Sequence, residues 1–169
     1  MKKTATGAIL LIAASTALAF NVDGFRSGMT PAEVAATAQQ QGAEMWQIGA
    51  TNYATGQRSQ QRLDGTFSFC PATGLIAYST DLDAENGYLP AVERALTAWG
   101  QPTVSLRHTR WLGQGGGDIS LIEMKWKQPH GTEVAISSNP DGRDGSGALR
   151  YKRSASISYL DRSRVCHSK

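Results

Sequence analysis

Three histidines and two cysteines are the residues of this 169-residue chain best suited to acid–base, nucleophilic or metal chemistry. His108 shares parity with Val104 and Leu106 in an alternating segment, so it is expected to face a core. His130 falls in the turn Gln128-Pro129-His130-Gly131, and His167 in the last few residues. A zinc site needs ligands clustered at defined spacings, and these histidines are not clustered. Cys166 and His167 are adjacent, but neighbours on a strand point to opposite faces. Serine chemistry is no better supplied, because the chain has no G-x-S-x-G elbow. The acidic group Asp81, Asp83 and Glu85 precedes a predicted helix, where carboxylates favour the helix N-terminus. As a glycosidase-like pair they would also need a cleft.

Two glycine-rich stretches invite ligand readings and fail them. "GQGGGD", residues 113–118, lacks the Gly-Lys-Ser/Thr ending of a phosphate loop. "NPDGRDGSG", residues 139–147, has the side chains of a calcium loop, but Arg143 stands where an oxygen ligand belongs. Arg150 occupies the place of the closing Glu. Both stretches are expected to be loops. No catalytic residue, no metal ligand set and no cofactor is therefore assigned.

The cysteines point to a compartment instead. Cys70 and Cys166 make an even count, neither belongs to a C-x-x-C pair, and an oxidising compartment would join them in one disulfide. Two separate thiols are the alternative. Lys2 and Lys3, an apolar stretch from Ala8 to Ala14 and Ala17-Leu18-Ala19 read as a bacterial signal peptide over residues 1–19. Residues 20–169 then form one domain in the periplasm or outside the cell. No later segment has transmembrane length.

Charge narrows the partner. Without Lys2 and Lys3 the net charge falls from +3 to +1, too little for a nucleic-acid binder. The distribution is uneven: residues 141–169 carry a net +4 and residues 20–140 a net −3. Arg150, Lys152 and Arg153, with Arg162 and Arg164 beyond, are a candidate basic edge for an envelope protein or acidic surface. A charged strand edge guarding against aggregation is the plainer reading. Trp111 shares parity with Ser105, Arg107 and Thr109, beside the glycine loop. Trp111, Arg110 and Arg107 are the candidate binding residues.

The elements that would position these residues are readable. In "GMTPAEV", residues 28–34, Thr30 is an N-cap, Pro31 takes the first helical position and Glu33 completes a capping box. Met29 and Val34 form a hydrophobic staple. This helix should run from Pro31 to Gln41 and stop at Gly42. A second is predicted from Tyr88 to Trp99, with Gly100 and Pro102 beyond it. Trp99 and Trp126 fit core positions. Strands alternate over 66–70, 75–80, 104–111, 122–127 and 132–136, and a last one over 149–159. Strands joined by short turns imply α+β, two helices packed on a largely antiparallel sheet, in two helix-plus-strands halves.

The stretch "GMTPAEV" resembles the Gly-Met-Thr-x-x-x-Val helix start of small exported α+β modules. These include the outer-membrane assembly lipoproteins and the β-lactamase inhibitor proteins. Residues Leu96 to Pro102 add weaker support. The resemblance implies a module that binds another protein and has no catalytic site. Such modules usually carry two adjacent helices before their strands, where one is predicted here, and the lipid-bearing Cys of the lipoproteins is missing. The leading expectation is an exported noncatalytic binding or assembly module. The alternatives are a small periplasmic hydrolase using a His and the acidic loop, or a structural envelope protein without a discrete site.

Overall fold

A computed structural model of the chain describes residues 19–60, 62–111, 117–140, 142–143 and 149–166. The signal peptide expected over 1–19 lies outside these residues except for Ala19. The chain enters through a short hairpin, β1 (Asn21–Val22) and β2 (Phe25–Arg26). Asp23 and Gly24 between them both have positive φ, 53° and 81°. That is the pattern of the two-residue type I′ turn for which Asp-Gly is suited.

Helix α1 (Pro31–Gln40) begins as its sequence dictates. Thr30 Oγ1 accepts from the Glu33 N–H at 3.3 Å, and Glu33 Oε2 accepts from the Thr30 N–H at 2.7 Å. That bond from the Thr30 N–H holds the Glu33 carboxyl below its ordinary range. Four strands follow as a meander: β3 (Glu44–Gln47), β4 (Asn52–Gln57), β5 (Arg62–Cys70) and β6 (Gly74–Leu82). Asp83 then closes a turn. Its Oδ1 accepts from the Glu85 and Asn86 N–H groups, and its carbonyl from Gly87 and Tyr88. The bonds to its carboxylate, from the Asn86 N–H first and then the Glu85 N–H, lower the Asp83 pKa. Asp81 itself belongs to β6, and α2 after this turn has no side-chain cap and no acidic residue in its first turn.

Helix α2 (Tyr88–Trp99) has the predicted bounds, and strands follow again. They are β7 (Thr103–Trp111), β8 (Gly117–Lys127), β9 (Thr132–Asn139), β10 (Gly142–Arg143), β11 (Leu149–Tyr151) and β12 (Ser154–Asp161). Gly117 and Asp118, expected in a loop, belong to β8. Asn139 and residues 142–143 of the other glycine-rich stretch are likewise in strands. The last predicted strand is two: β11 pairs with β10 in a separate two-stranded sheet, and β12 joins the main one. Lys152 and Arg153 mark the break.

The main sheet has eight antiparallel strands in the order β3-β4-β5-β6-β12-β9-β8-β7. Each half of the chain supplies one helix and four of these strands. The halves meet at the pairing of β6 with β12, where Tyr78 lies opposite Tyr159. The protein is α+β, with the sheet as the dominant part. The helices do not form a packed layer over it. Each reaches the strands' side chains through two buried residues. Val34 and Ala38 of α1 join Phe20, Phe25, Phe67, Phe69, Leu75 and Tyr78. Ala91 and Ala95 of α2 join Trp126 and Ile136. Trp99 packs edge-on against Trp126 at 5.9 Å. The Trp126 indole donates to the Gly100 carbonyl at 2.8 Å, tying the end of α2 to the sheet. Small residues on each helix explain the limited contact: alanines fill little volume, so aromatics from strands and hairpin make most of the core.

Cys70 and Cys166 form a disulfide with Cα atoms 5.5 Å apart. Beside it the C-terminal turn (Arg162–Arg164) is held by Thr73 Oγ1, which donates to the Arg164 carbonyl at 2.9 Å.

Candidate functional site

Strand register sorts every side chain of the sheet onto one of two faces. Both core clusters and both helices lie on one of them. The row Trp126–Val134–Tyr159–Tyr78–Phe67–Tyr53 crosses its centre. The opposite parity presents small and polar side chains. One row there crosses all eight strands: Thr103, Lys125, Ala135, Ser158, Ser79, Thr66, Ala54 and Trp46. The next row runs Ser105, Glu123, Ser137, Ser156 and Asp81. The face is therefore a serine- and alanine-rich floor, with half-buried Trp46 at one rim and charged residues at the other.

The charged rim is built around Glu123. Its Oε2 lies 3.0 Å from Lys125 Nζ, 3.5 Å from Arg107 Nη2 and 3.5 Å from Ser105 Oγ. Arg107 itself is exposed. Position 111 has the same parity as Arg107 in β7, whereas position 110 falls with Val104 and Leu106 on the other. The side chains of Trp111 and Arg110 lie outside the described residues.

His108 is exposed, against the expectation that it faces the core. It does share a face with Val104 and Leu106. The strand that carries it is the last in the sheet, and Val104 and Leu106 beside it are also exposed. His108 Nδ1 lies 3.1 Å from Ser120 Oγ. An exposed Ser–His pair lacks the water-excluding surroundings that make oxyanion stabilisation effective. His130 has φ 71°, whereas the third residue of the predicted type I turn needs a negative φ, so the turn is not of that type. His167 lies outside the described residues.

The basic residues are dispersed. β12 is not an edge strand but sits between β6 and β9. Arg150 is in β11, its side chain outside the described residues; Lys152 and Arg153 are exposed in the link before β12. Arg162 makes a two-pronged contact with Glu133 at 3.1–3.3 Å. Arg164 Nε lies 3.2 Å from Oδ2 of buried Asp161, whose Oδ1 accepts from the Ser163 N–H at 3.0 Å. That Oδ2 atom receives no well-directed hydrogen bond, so the contact is ionic. Arg162 and Arg164 are thereby occupied within the fold.

Cavities among the described residues open on the helix side. One of about 550 Å³ lies beside the disulfide, between Pro31, Tyr53, Phe69 and Arg164. Two others, of about 390 and 300 Å³, share Val22, Trp99 and Tyr159. Among the described residues no three His, Cys, Asp or Glu side chains are grouped to hold a metal ion. No described helix is long and apolar enough to cross a membrane. Sequence reasoning missed Trp46, Glu123 and the serine row. Alternation in β12 displays Ser154, Ser156 and Ser158 on one parity, but not the seven strands beside them.

The fold and site define a class: a sheet-dominated α+β protein of two helix-plus-four-strand halves, closed by one disulfide and, among the described residues, without a helix on one sheet face. Comparison with protein-family models, curated proteins and solved structures finds no match for this chain.

Proposed function

We propose that this chain is an exported, noncatalytic binding module whose partner is a protein docking on the helix-free face of the sheet. The observation that carries this reading is the row that crosses all eight strands from Thr103 to Trp46, in which six of the eight side chains are short and only Lys125 and Trp46 are long. Short side chains across the central strands let another protein approach the sheet closely there. The rims supply an aromatic, Trp46, and a hydrogen-bonded charge group, Arg107–Glu123–Lys125. Aromatic and Arg residues are the usual anchors of protein interfaces. Export is supported by the leader-like N-terminus and by the disulfide, a bond that persists in oxidising compartments. The resemblance of "GMTPAEV" to exported protein-binding modules points the same way. Trp111, on the parity of Arg107, remains the proposed second aromatic anchor.

The test is recovery of a partner from periplasmic extract with immobilised protein. Wild type should retain a saturable partner. Ser156→Arg/Ser158→Arg, which raises two long cations from the floor of the face, should lose it at unchanged thermal stability. Trp111→Ala should weaken retention. If wild type and the Arg variant recover the same background, the face is not the docking surface.

A further inference from the structure

β7 ends the sheet, and its pairing with β8 runs without a register shift from Thr103 to Trp111. A long, regular edge strand is a template for another strand. Natural edges are guarded by charge or proline, but here the charges come late: Arg107 and Arg110 lie in the second half of β7. The first half, Thr103 to Leu106, has neither charge nor proline. It is also apolar on the helix side. Val104 is 61% exposed, Leu106 69%, and Ile122, opposite Leu106 on β8, 39%. These side chains continue core rows beyond the cover of α2. The row Ile157–Ile136–Met124 reaches the edge at Val104, and its neighbour Ala155–Ser138–Ile122 at Leu106.

We propose that this edge pairs with the same edge of a second copy, antiparallel about a two-fold axis at Ser105. The pattern is self-complementary about that point. Val104 of each copy falls opposite Leu106 of the other, so the two apolar rows run unbroken from one sheet into the next. Thr103 falls opposite Arg107, and the two Arg107 side chains are kept apart. Centring the axis on Arg107 instead would use the full length of β7 but oppose like charges, which is unfavourable. An axis at Ser105 makes a closed, isologous dimer with one continuous sixteen-stranded sheet. The contact uses the edge and the helix side, so it leaves the helix-free face open.

Sedimentation across a concentration series tests the proposal. Wild type should show a reversible monomer–dimer equilibrium. Leu106→Arg, at an exposed position, should keep the thermal midpoint and weaken association on the order of tenfold or more. Register is read separately: under mild oxidation Ser105→Cys should give a disulfide-linked dimer, and Leu106→Cys should not. Wild type that stays monomeric to millimolar concentration overturns the proposal, as does Leu106→Arg dimerising like wild type. Cross-linking of the Leu106→Cys variant in place of the Ser105→Cys variant overturns the Ser105 axis. Loss of the partner in the Ser156→Arg/Ser158→Arg variant with the dimer intact would keep the two surfaces distinct.

Discussion

Tyr78 sits where the two halves of the molecule touch. Its ring stacks on Phe67 at 4.9 Å and lies 5.1 Å from Phe25 and 6.3 Å from Tyr159. Its hydroxyl donates to Asp23 Oδ2 at 3.4 Å. Burial, and then the Asp23 carboxylate, push the phenol up to about 12, because both penalise the phenolate. Tyr159 moves in the same direction, again through burial first. An unfolded tyrosine ionises at about 10. Below that pH the protonated phenol contributes its full stability. Above it the unfolded chain loses protons that the folded one keeps, so stability falls as pH rises from about 10 through about 12. Denaturant midpoints should drop over that interval, with late tyrosinate absorbance at 295 nm. Tyr78→Phe should flatten the drop; an unchanged slope would remove Tyr78 as its source.

Elements in this protein are held by their ends as much as by their faces. The β5–β6 turn is an example. Gly74 has φ 81°, and a Cβ there would lie 2.4 Å from the Gly28 carbonyl oxygen. The approach is close because this turn docks on the chain just before α1: Gly28 N–H donates to the Leu75 carbonyl at 2.8 Å, and Leu75 N–H to the Met29 carbonyl at 2.7 Å. Gly74→Ala therefore combines a left-handed backbone penalty with backbone overlap. It should cost about 2–4 kcal/mol by chemical denaturation. A loss below about 1 kcal/mol would mean that this docking yields easily. Helix boundaries were legible because caps are local: Thr30, Glu33 and Gly100 act within a few residues of themselves. The hairpin at Asp23-Gly24 was missed by the sequence reading although its Asp-Gly signal is equally local. The break between β11 and β12 was not legible, since Leu149 to Tyr159 keeps one alternation through it and pairing partners alone decide it.

At the scale of the whole molecule, the disulfide joins the β5–β6 turn to the C-terminal tail across 96 residues of sequence. A loop of that length constrains the unfolded chain by about 4–5 kcal/mol in the chain-entropy account. Reduction, or Cys70→Ser/Cys166→Ser, should lower the denaturant midpoint accordingly and loosen Arg162–Arg164 first, seen as faster amide exchange at Ser163. Equal midpoints for oxidised and reduced protein would show that the tail is held by Thr73 and Asp161 alone. The same scale decides the candidate site. Arg107 is exposed, and its surroundings are set by Glu123 and Lys125 from the neighbouring strand. The row it borders depends on seven strand pairings.

From the sequence alone came the helix starts and stops, the alternation of most strands, the pairing of the two cysteines and the α+β class. Each rests on neighbours within a few residues, or, for the cysteines, on a count. The tertiary structure decided the strand order, with β12 in the centre and β7 at the rim. It thereby decided that His108, Val104 and Leu106 are exposed, and that the serines of β12 belong to a face spanning the sheet. Period-two alternation says which residues share a face of one strand. It carries no information about which strand lies alongside, because that choice is made by side chains meeting from distant parts of the chain.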